Sequence, residues 1–336
     1  MARTSILVTG GAGYIGSHVV RQLGEAGESV IVLDNLSTGF EKAVTAGQFF
    51  MGDTADTALL DRILSERRVD TVMHFAAKTI VPESVADPLR YYRNNTANTL
   101  NVLEACKRHR VKNFVFSSTA AVYGELETGK ADEATATAPI NPYGTSKLMS
   151  EWMLRDLAAA GGPQYVALRY FNVAGSEPAG RIGQSTPKAT LLVKVACEAV
   201  VGKRDKVSIF GTDYPTPDGT CLRDYIHVED LAAAHLDALT YLRDGGESTT
   251  LNCGYGHGYS VREVLDAVER AAGAPLNVEE APRRAGDPPE LVAVAERIKS
   301  VLGWSPKLDD LDRIVATSLA WERKIAAHDP GAYWPE

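Results

Sequence analysis

The sequence predicts an α/β protein with a doubly wound parallel sheet and a smaller C-terminal α/β domain. Two observations predict the sheet: short runs rich in β-branched residues alternate with longer amphipathic segments, and each run contains consecutive apolar residues. Such runs are typical of strands buried on both faces, and strand–helix–strand repeats make them parallel, with helices on both sides. A third observation predicts the second domain: turns and loops become frequent after about residue 173.

The strands of the sheet are predicted, in chain order, at 5–10, 29–34, 71–77, 113–119 and 165–172. The segments between them, such as 17–27 and 96–109, have the amphipathic pattern of helices. A further helix is predicted to begin at Pro142, with Asn141 as its N-cap, and to end before Gly161.

Composition excludes several classes of protein. With 35 Lys and Arg against 43 Asp and Glu, the net charge of −8 leaves no surplus of positive charge for a nucleic-acid backbone. No apolar run approaches the roughly 20 residues of a membrane span, and the first residues carry no signal-peptide pattern. The four cysteines are widely spaced and lack metal-ligand spacing, so we expect reduced thiols, no metal site and a cytoplasmic location.

A glycine-rich turn follows the first predicted strand directly and opens a helix. Gly10 permits the tight turn, Gly13 lets a pyrophosphate approach the backbone, and Gly16 allows close helix packing. Taken alone, this turn is equally consistent with a flexible loop. Asp34, however, ends the next strand, where a carboxylate binds both ribose hydroxyls and repels a 2′-phosphate. The pattern therefore predicts a Rossmann-type dinucleotide site that prefers NAD to NADP, with Asp53, after the next apolar run, on the adenine side.

Tyr143 and Lys147 lie one turn apart on the helix that begins at Pro142, so they share a face. A tyrosine has a pKa of about 10, and lowering it to about 7 requires roughly 4 kcal/mol of preference for the phenolate. Lys147 and an oxidised nicotinamide ring are two positive groups that together supply this preference. Thr119, at the end of a strand, is the best-placed hydroxyl to hold a substrate oxygen. Without the glycine turn we would interpret Tyr143 as a packed aromatic beside a solvated lysine; with it, we predict a catalytic site.

Nine segments carry a family resemblance: TGGAGYIGSH, LDNLSTG, VMHFAA, ESVADPLRYYRNN, VFSSTAAVYGE, PYGTSK, LRYFNVAG, IFGTDYPTPDGTCLRDYIHVEDLA and APRRAGD. In them the chain resembles the extended short-chain dehydrogenase/reductases, most closely the branch that epimerises UDP-glucose. The resemblance implies an isomerase of galactose and carbohydrate metabolism that interconverts UDP-glucose and UDP-galactose through a 4-keto sugar with tightly bound NAD. It also implies a homodimer through the helices around 95–109 and after Pro142, where Trp152, Met153 and Leu154 place apolar residues on more than one face.

Matching positions imply the site residues. Those implied for NAD are Gly10, Gly13, Tyr14, Ile15, Gly16, Asp34, Asn35, Leu36, Ser37, Thr38, Gly39, Asp53, Thr54, Phe75, Ala76, Ala77, Asn94, Thr119, Tyr143, Lys147 and Phe171. Those implied for the UDP-sugar are Asn172, Ser208, Ile209, Phe210, Arg223, Arg284, Asp287 and Leu291. Arg223 and Arg284 also make chemical sense without the resemblance, because a guanidinium group matches a diphosphate in paired geometry. A single arginine, however, is more often solvated. We expect residues 1–173 and about 222–255 to form the NAD-binding domain, and about 174–221 and 256–336 the nucleotide-sugar-binding domain.

Departures from the family pattern leave some alternatives open. A lysine of some relatives aligns with Thr79 rather than with Lys78, and a diphosphate-binding asparagine aligns near Thr190 and Leu191. Leu291 stands at the position that gates sugar size, so UDP-N-acetylhexosamines and UDP-hexuronates remain alternative substrates. Ala120 and Ala121 follow Thr119 where related 4,6-dehydratases carry an acid pair and decarboxylases a glutamate, which disfavours both reactions. A non-catalytic nucleotide-sensing protein would be expected to lack Tyr143 or Lys147.

Overall fold

The structure is a computed structural model that describes residues 4–284, 287–329 and 332–335. The strands in chain order are β1 (Ser5–Thr9), β2 (Ser29–Asp34), β3 (Gln48–Met51), β4 (Val69–His74), β5 (Asn113–Thr119), β6 (Lys130–Ala131), β7 (Gln164–Tyr170), β8 (Asn172–Ala174), β9 (Val207–Phe210), β10 (Leu222–Arg223), β11 (Tyr225–His227), β12 (Thr249–Cys253), β13 (Tyr259–Ser260), β14 (Val278–Ala281) and β15 (Glu290–Ala293). Two residues of the APRRAGD segment, 285 and 286, lie outside the described residues.

The helices in chain order are α1 (Tyr14–Glu25), α2 (Thr57–Glu66), α3 (Val81–Ala86), α4 (Pro88–Tyr91), α5 (Asn98–Arg108), α6 (Pro142–Ala159), α7 (Leu192–Val200), α8 (Val228–Arg243), α9 (Val261–Ala272), α10 (Glu296–Leu302) and α11 (Leu311–His328). Short 3-10 turns cover Glu41–Ala43 and Ala120–Val122, and a π-helical turn, Tyr92–Ala97, leads into α5. Within the described residues, none of these helices is both long and apolar enough to cross a membrane.

A seven-stranded sheet occupies the centre of the molecule, with strand order β12–β7–β5–β4–β1–β2–β3. Every neighbouring pair is parallel. The chain builds outward from β1 to β3, then crosses back to add β4 on the other side of β1. This reversal creates a crevice at the carboxyl ends of the strands, where open α/β sheets bind ligands. The predicted doubly wound parallel sheet is confirmed.

The two faces of the sheet carry separate cores because side chains alternate along a strand. Ile6 and Val8 of β1 belong to a core cluster that includes residues of α1 and α8. Leu7, between them, belongs to a second cluster with residues of α2, α5 and α6. All three side chains are fully buried. The alternation explains why these three consecutive residues of β1 are all apolar and why helices cover both sides.

Two predicted strands end earlier than their apolar runs. The run 71–77 leaves the sheet after His74, because its neighbour β1 ends at Thr9, directly opposite His74. Residues 75–77 then turn across Gly10. The run 165–172 is divided at Phe171, because Asn172 donates its backbone N–H to the Asp224 carbonyl and β8 pairs with β11.

The later part of the chain forms smaller sheets and also returns to the main one. Strand β12 pairs with β7 at the edge of the main sheet. A four-stranded sheet has the order β13–β10–β15–β6, and β9 pairs with β14. Helices α7, α9 and α11 pack on one another. These short strands lie beside the crevice, since β15 carries Leu291 into its wall.

Candidate active site

A cavity of about 560 Å³ lies at the carboxyl ends of the central strands. Its volume is within the range of small-molecule sites. Most of the predicted site residues line it: Gly10, Gly13, Tyr14, Ile15, Gly16, Asp34, Asn35, Ser37, Thr38, Asp53, Thr54, Phe75, Ala76, Ala77, Asn94, Thr119, Tyr143, Phe171, Asn172 and Leu291. The sheet brings most of these residues together because they follow the carboxyl ends of its parallel strands.

The glycine turn is shaped by close backbone contacts. Gly10 has φ +73°, and a Cβ there would lie 2.5 Å from the backbone nitrogen of Ala76. A Cβ on Gly16 would lie 2.2 Å from the Gly10 carbonyl oxygen, so neither position accepts a side chain. A Cβ on Gly13 would meet only that oxygen, at 3.3 Å. Gly13 lines the cavity and is less crowded than Gly10 and Gly16.

Helix α1 begins immediately after this turn with its amide groups free for an anion. Its N-cap is Gly13, which provides no side-chain hydrogen bond, and its first turn contains no acidic residue. The first N–H groups of a helix lack partners within the helix and, together with its dipole, favour a negative charge. The turn and the helix therefore fit a phosphate or pyrophosphate.

Asp34 is fixed at the end of β2 by two backbone groups. Its carboxylate accepts hydrogen bonds from the N–H of Ala12 at 2.9 Å and of Leu36 at 2.8 Å. Burial raises the pKa of Asp34, and these two N–H donors oppose that effect. Each oxygen keeps a second lone pair, so the carboxylate can also accept from a diol in the cavity. Leu36 acts here through its backbone and, like Gly39, lies behind the cavity lining, where Gly39 packs against Ala12.

Asp53 follows β3 at the outer end of the cavity. It accepts hydrogen bonds from the side-chain amides of Asn35 at 2.6 Å and Asn98 at 3.2 Å. Its other contact is the backbone N–H of Ala55 at 2.8 Å. These contacts hold the carboxylate at the rim, next to the turn after β2.

The opposite end of the cavity contains the predicted catalytic hydroxyls. Helix α6 begins at Pro142, and the side chain of its N-cap Asn141 accepts from the Gly144 N–H at 2.9 Å. Tyr143 thus lies in the first turn of α6 and faces Thr119, the last residue of β5. Burial raises the pKa of Tyr143, and a hydrogen bond with the Thr119 hydroxyl opposes the rise.

Lys147 lies one turn after Tyr143 and behind the lining of the cavity. Its side chain is buried, and its Nζ donates to the Ser117 carbonyl at 2.7 Å, over the Phe116 ring. Burial lowers the pKa of Lys147 to about 7, and the charge of Glu151 opposes this. In the protein alone, burial therefore has the largest effect on the pKa of both Tyr143 and Lys147. The acidic phenol expected from the sequence needs the second positive group as well as Lys147.

A group of polar residues in the cavity wall was not predicted. Glu83 and Arg90 form an ion pair, and Glu83 also accepts from the Tyr91 hydroxyl at 2.8 Å. The Tyr91 ring stands edge-on to Tyr143, with ring centroids 6.4 Å apart. Charges in this segment resemble a solvated helix face in the sequence, so no local signal identifies them.

Gln184 is a second unpredicted lining residue. It lines the cavity together with Lys78, Thr79, Thr190 and Leu191. The sequence offered no amide near Thr190, and the side chain of Gln184 places one in the same wall. The surrounding loop, 175–191, has no periodic pattern in the sequence that would have indicated this contact.

Of the predicted UDP-binding residues, Asn172 and Leu291 line the cavity, whereas the arginines and their neighbours form a group beside it. The Arg284 guanidinium lies 3.7 Å from the centre of the Phe210 ring. Arg223 forms an ion pair with Asp287 at 3.5 Å and stands opposite Leu291 in the β10–β15 ladder. Leu291 therefore joins this group to the cavity.

Two members of the predicted UDP set have other contacts. The Ser208 hydroxyl donates to Glu279 at 2.9 Å, and Ile209 is buried in the core. Their contribution to this group is the strand β9, which carries Phe210 beneath Arg284.

Residues 6–254 match the NAD dependent epimerase/dehydratase family. The chain belongs to this family. The resemblance noted in the sequence motifs is thereby confirmed.

Individual family members are similar over almost the whole chain. The UDP-glucose 4-epimerase of Azospirillum brasilense is 57% identical over 325 residues, covering 96% of this chain and 93% of the relative. The crystal structure of UDP-glucose 4-epimerase from Bifidobacterium longum in complex with NAD+ and UDP has a TM-score of 0.91 and 40% identity, covering 98% and 99% of the two chains. The UDP-Glc/GlcNAc 4-epimerase of Campylobacter jejuni has a TM-score of 0.84 and 49% identity, covering 95% and 99%.

Proposed function

We propose that the protein is an isomerase that inverts C4 of UDP-glucose and UDP-galactose with tightly bound NAD. One observation carries the proposal: Tyr143 and Thr119 line the same cavity as the glycine turn and Asp34. A reactive hydroxyl pair and a dinucleotide cradle within one cavity are the parts that an oxidation followed by a reduction at one carbon requires. The names of the relatives, UDP-glucose 4-epimerases, support the same substrate.

The residues fit NAD by their donor chemistry. The free amides at the start of α1 would hold its pyrophosphate, and Asp34 a ribose diol, with Asp53 and Thr54 on the adenine side. Phe171 would sit at the nicotinamide, and four further lining residues would contact NAD: Phe75, Ala76, Ala77 and Asn94. When bound, NAD supplies the reversible hydride acceptor that protein side chains lack.

Tyr143 handles the proton of the sugar. Its phenolate would remove the proton of the 4-hydroxyl as the C4 hydrogen leaves, and the same phenol would return it at the end of the cycle. The Thr119 hydroxyl holds the sugar oxygen at that position. Lys147 contributes its positive charge, which favours the phenolate over the neutral phenol.

Inversion also requires the flat 4-keto sugar to turn over before its hydrogen returns. The nucleotide must therefore be held firmly and the hexose loosely. Arg223 and Arg284 provide guanidinium groups for the diphosphate, and Asp287 a carboxylate for the uridine ribose. The two residues that follow Thr119 in the chain support epimerisation over dehydration, because Ala120 and Ala121 provide no acid to expel the 6-hydroxyl.

A second candidate substrate is a UDP-N-acetylhexosamine. The similarity to an enzyme named for both UDP-Glc and GlcNAc favours it, together with leucine at position 291 in the cavity wall. UDP-hexuronates have no comparable support. A non-catalytic nucleotide-sensing role is disfavoured, since Tyr143 and Lys147 are both present and close to the cavity.

We further propose that the protein is a cytoplasmic homodimer with separate cofactor and nucleotide-sugar domains, divided near residues 173, 222 and 255. Leu100 on α5 and Met149 and Trp152 on α6 are exposed apolar side chains on adjacent helices, which supports an interface between two copies. The four cysteines are buried free thiols, which fits a reducing compartment.

Proton NMR of a substrate panel tests the proposed function. Purified protein is first denatured and its supernatant assayed for NAD, which we expect at about one equivalent per chain. The intact protein is then incubated with UDP-glucose, UDP-galactose, their N-acetyl forms and UDP-glucuronate. We expect the C4 epimers of the first two to appear at equilibrium. Protein that contains NAD but converts none of the five sugars would overturn the proposal.

A further inference from the structure

A buried ion pair lies behind the catalytic end of the cavity, and the reaction described above does not use it. It joins Glu151 of α6 to Arg169 of β7, whose side chains are 7% and 8% exposed. Arg169 donates Nε to one carboxylate oxygen at 3.0 Å and Nη2 to the other at 2.6 Å. Burying two charges carries a desolvation cost of several kcal/mol per ion, so a pair in this place is a weak source of stability.

The pair is connected to the strand that carries the catalytic groups. The Ser118 hydroxyl donates to Glu151. Ser118 stands between Ser117, whose carbonyl accepts from Lys147, and Thr119, which faces Tyr143. Glu151 is thus tied to β5 at the point where β5 contacts both catalytic partners.

Glu151 also shares a helix face with those partners. Tyr143, Lys147 and Glu151 follow one another at intervals of four residues along α6, so they form one row. The carboxylate stands one turn beyond Lys147, and both side chains are buried. The row therefore runs from the reacting phenol, through a cation, to an anion in the interior.

The far side of the pair is anchored to two other strands. Arg169 Nη1 donates to the Tyr123 hydroxyl at 3.0 Å, and that hydroxyl donates to Asn252 of β12 at 2.6 Å. Asn252 in turn donates to the Ala131 carbonyl of β6 at 2.8 Å. This chain of hydrogen bonds fixes the guanidinium, and the guanidinium fixes Glu151.

We propose that Glu151, held in place by Arg169, is a positioning residue that keeps Lys147 protonated at its place on the Ser117 carbonyl, one helical turn from Tyr143. The inference rests on the proposed function, because it acts through the lysine that assists the phenol. Its physical basis is that burial alone favours the neutral amine, whereas a carboxylate one turn away favours the ammonium.

The other groups that face Lys147 do not supply this charge. On β4, burial and the charge of Lys147 lower the pKa of His74 to about 3, so its ring is neutral. On α6 and β7, burial raises the pKa of Tyr143 and of Tyr170, so both are neutral phenols. Arg169 is a cation. Of the groups named in this paragraph and Glu151, the Glu151 carboxylate is therefore the one that carries a negative charge.

The test compares the pH profile of turnover in holoenzyme carrying Glu151→Gln with that of the unaltered holoenzyme. Because the reaction requires Lys147 charged, turnover falls as pH rises through the pKa of Lys147. Loss of the carboxylate lowers that pKa, so we expect the alkaline limb to move about one pH unit toward lower pH. Glu151→Asp, which keeps the charge, should return the limb toward its original position. Glu247→Gln, an exposed charge change in the loop after α8, should leave it unchanged.

A second measurement separates positioning from simple loss of structure. Because Glu151→Gln leaves the Arg169 guanidinium unpaired in the interior, the double variant Glu151→Gln/Arg169→Met is prepared as well. The titration of Lys147 is followed by NMR of holoenzyme labelled at lysine Cε, with Lys147→Arg to assign the signal. We expect the midpoint about one pH unit lower in the double variant than in the unaltered protein.

The outcomes distinguish this inference from the proposed function. If Lys147 titrates at the same pH in all variants, and they differ only in thermal stability, the inference is wrong and the pair is structural. If the unaltered protein does not convert UDP-sugars, the proposed function fails, while the lysine titration still decides whether Glu151 sets the charge of Lys147.

Discussion

Among individual residues, Tyr143 has the most demanding task. Its phenol forms a hydrogen bond with the Thr119 hydroxyl, and burial raises the pKa of the phenol. Tyr143 therefore becomes a base only when positive charge is close. Tyr143→Phe removes the proton acceptor and keeps the ring. Because a positioned base contributes about 10²- to 10⁴-fold, we expect turnover to fall by that factor.

The affinity of the Tyr143→Phe variant for the nucleotide provides the control. Calorimetric titration with UDP should give a dissociation constant close to that of the unaltered protein, since Arg223 and Arg284 lie in a separate group beside the cavity. Turnover that is unchanged in the variant would remove Tyr143 from the role of base.

Residue-level features differ in how visible they are in the sequence. Tyr143 and Lys147 could be selected because they are neighbours on one helix, and Asp34 because it ends a strand after a glycine turn. Ser118, Glu151 and Arg169 meet only after α6, β5 and β7 have packed. Their sequence positions carry no spacing rule, so this ion pair could not be predicted.

At the scale of elements, the junction between β1 and α1 makes different demands on two of its glycines. A methyl group on Gly16 would lie 2.2 Å from the Gly10 carbonyl oxygen, whereas one on Gly13 would lie 3.3 Å from the same oxygen, a contact that a shift of a few tenths of an ångström relieves. We expect Gly16→Ala to lower the free energy of unfolding by about 1–3 kcal/mol, through displacement of α1 from β1.

Gly13→Ala is the matched variant of this pair. It should leave the unfolding free energy of the NAD-free protein nearly unchanged and weaken NAD binding about tenfold, which corresponds to about 1.4 kcal/mol. Chemical unfolding and NAD titration of both variants measure the two effects. Equal destabilisation by both substitutions would contradict the assignment of fold and cofactor roles.

Elements of the main sheet were predictable because each buried strand contains consecutive apolar residues, such as 6–8 in β1, 114–116 in β5 and 165–168 in β7. The strands β10, β11 and β13 have two or three residues each, too few to show any periodicity. Their pairing depends on partners distant in the chain, such as Leu291 opposite Arg223. The smaller sheets were therefore expected as a domain but not as individual strands.

At the scale of the whole molecule, the exposed apolar residues of α5 and α6 lead to a prediction about assembly. Trp152 is 47% exposed and Leu100 is 45% exposed. We expect Trp152→Arg to convert a dimer into a monomer, because it introduces a charge at the centre of the proposed interface. Light scattering after size exclusion measures the mass. Val278→Arg, an exposed apolar site on β14, should remain dimeric; a Trp152→Arg protein that stays dimeric would place the interface elsewhere.

Buried histidines make the stability of the whole molecule sensitive to acid. Burial lowers the pKa of four histidines, to about 3 for His74 and about 4 for His18, His227 and His235. Their ordinary value is about 6.5, so below that pH the unfolded chain binds protons that the folded protein does not. Their stabilising contribution is complete above pH 6.5 and is lost progressively as pH falls toward 4. Burial raises the pKa of Asp34 and Asp224, so these two carboxyl groups change the stability with pH in the opposite direction.

We therefore expect the free energy of unfolding to fall by more than about 1 kcal/mol between pH 7 and pH 5.5. Denaturant unfolding at the two pH values measures it. His18→Gln should reduce the difference, whereas His328→Gln, at the exposed end of α11, should not. Equal or greater stability at pH 5.5 would show that the buried histidines are protonated in the folded protein.

The most direct measurement of the central claim follows the hydrogen on C4 of the sugar. UDP-glucose is incubated with NAD-containing protein in heavy water until it equilibrates with UDP-galactose, and C4 of both sugars is examined by NMR. If the hydrogen leaves and returns to the same carbon while Tyr143 handles only the hydroxyl proton, both sugars keep ordinary hydrogen at C4. Deuterium at that carbon would show exchange with solvent and would contradict the account.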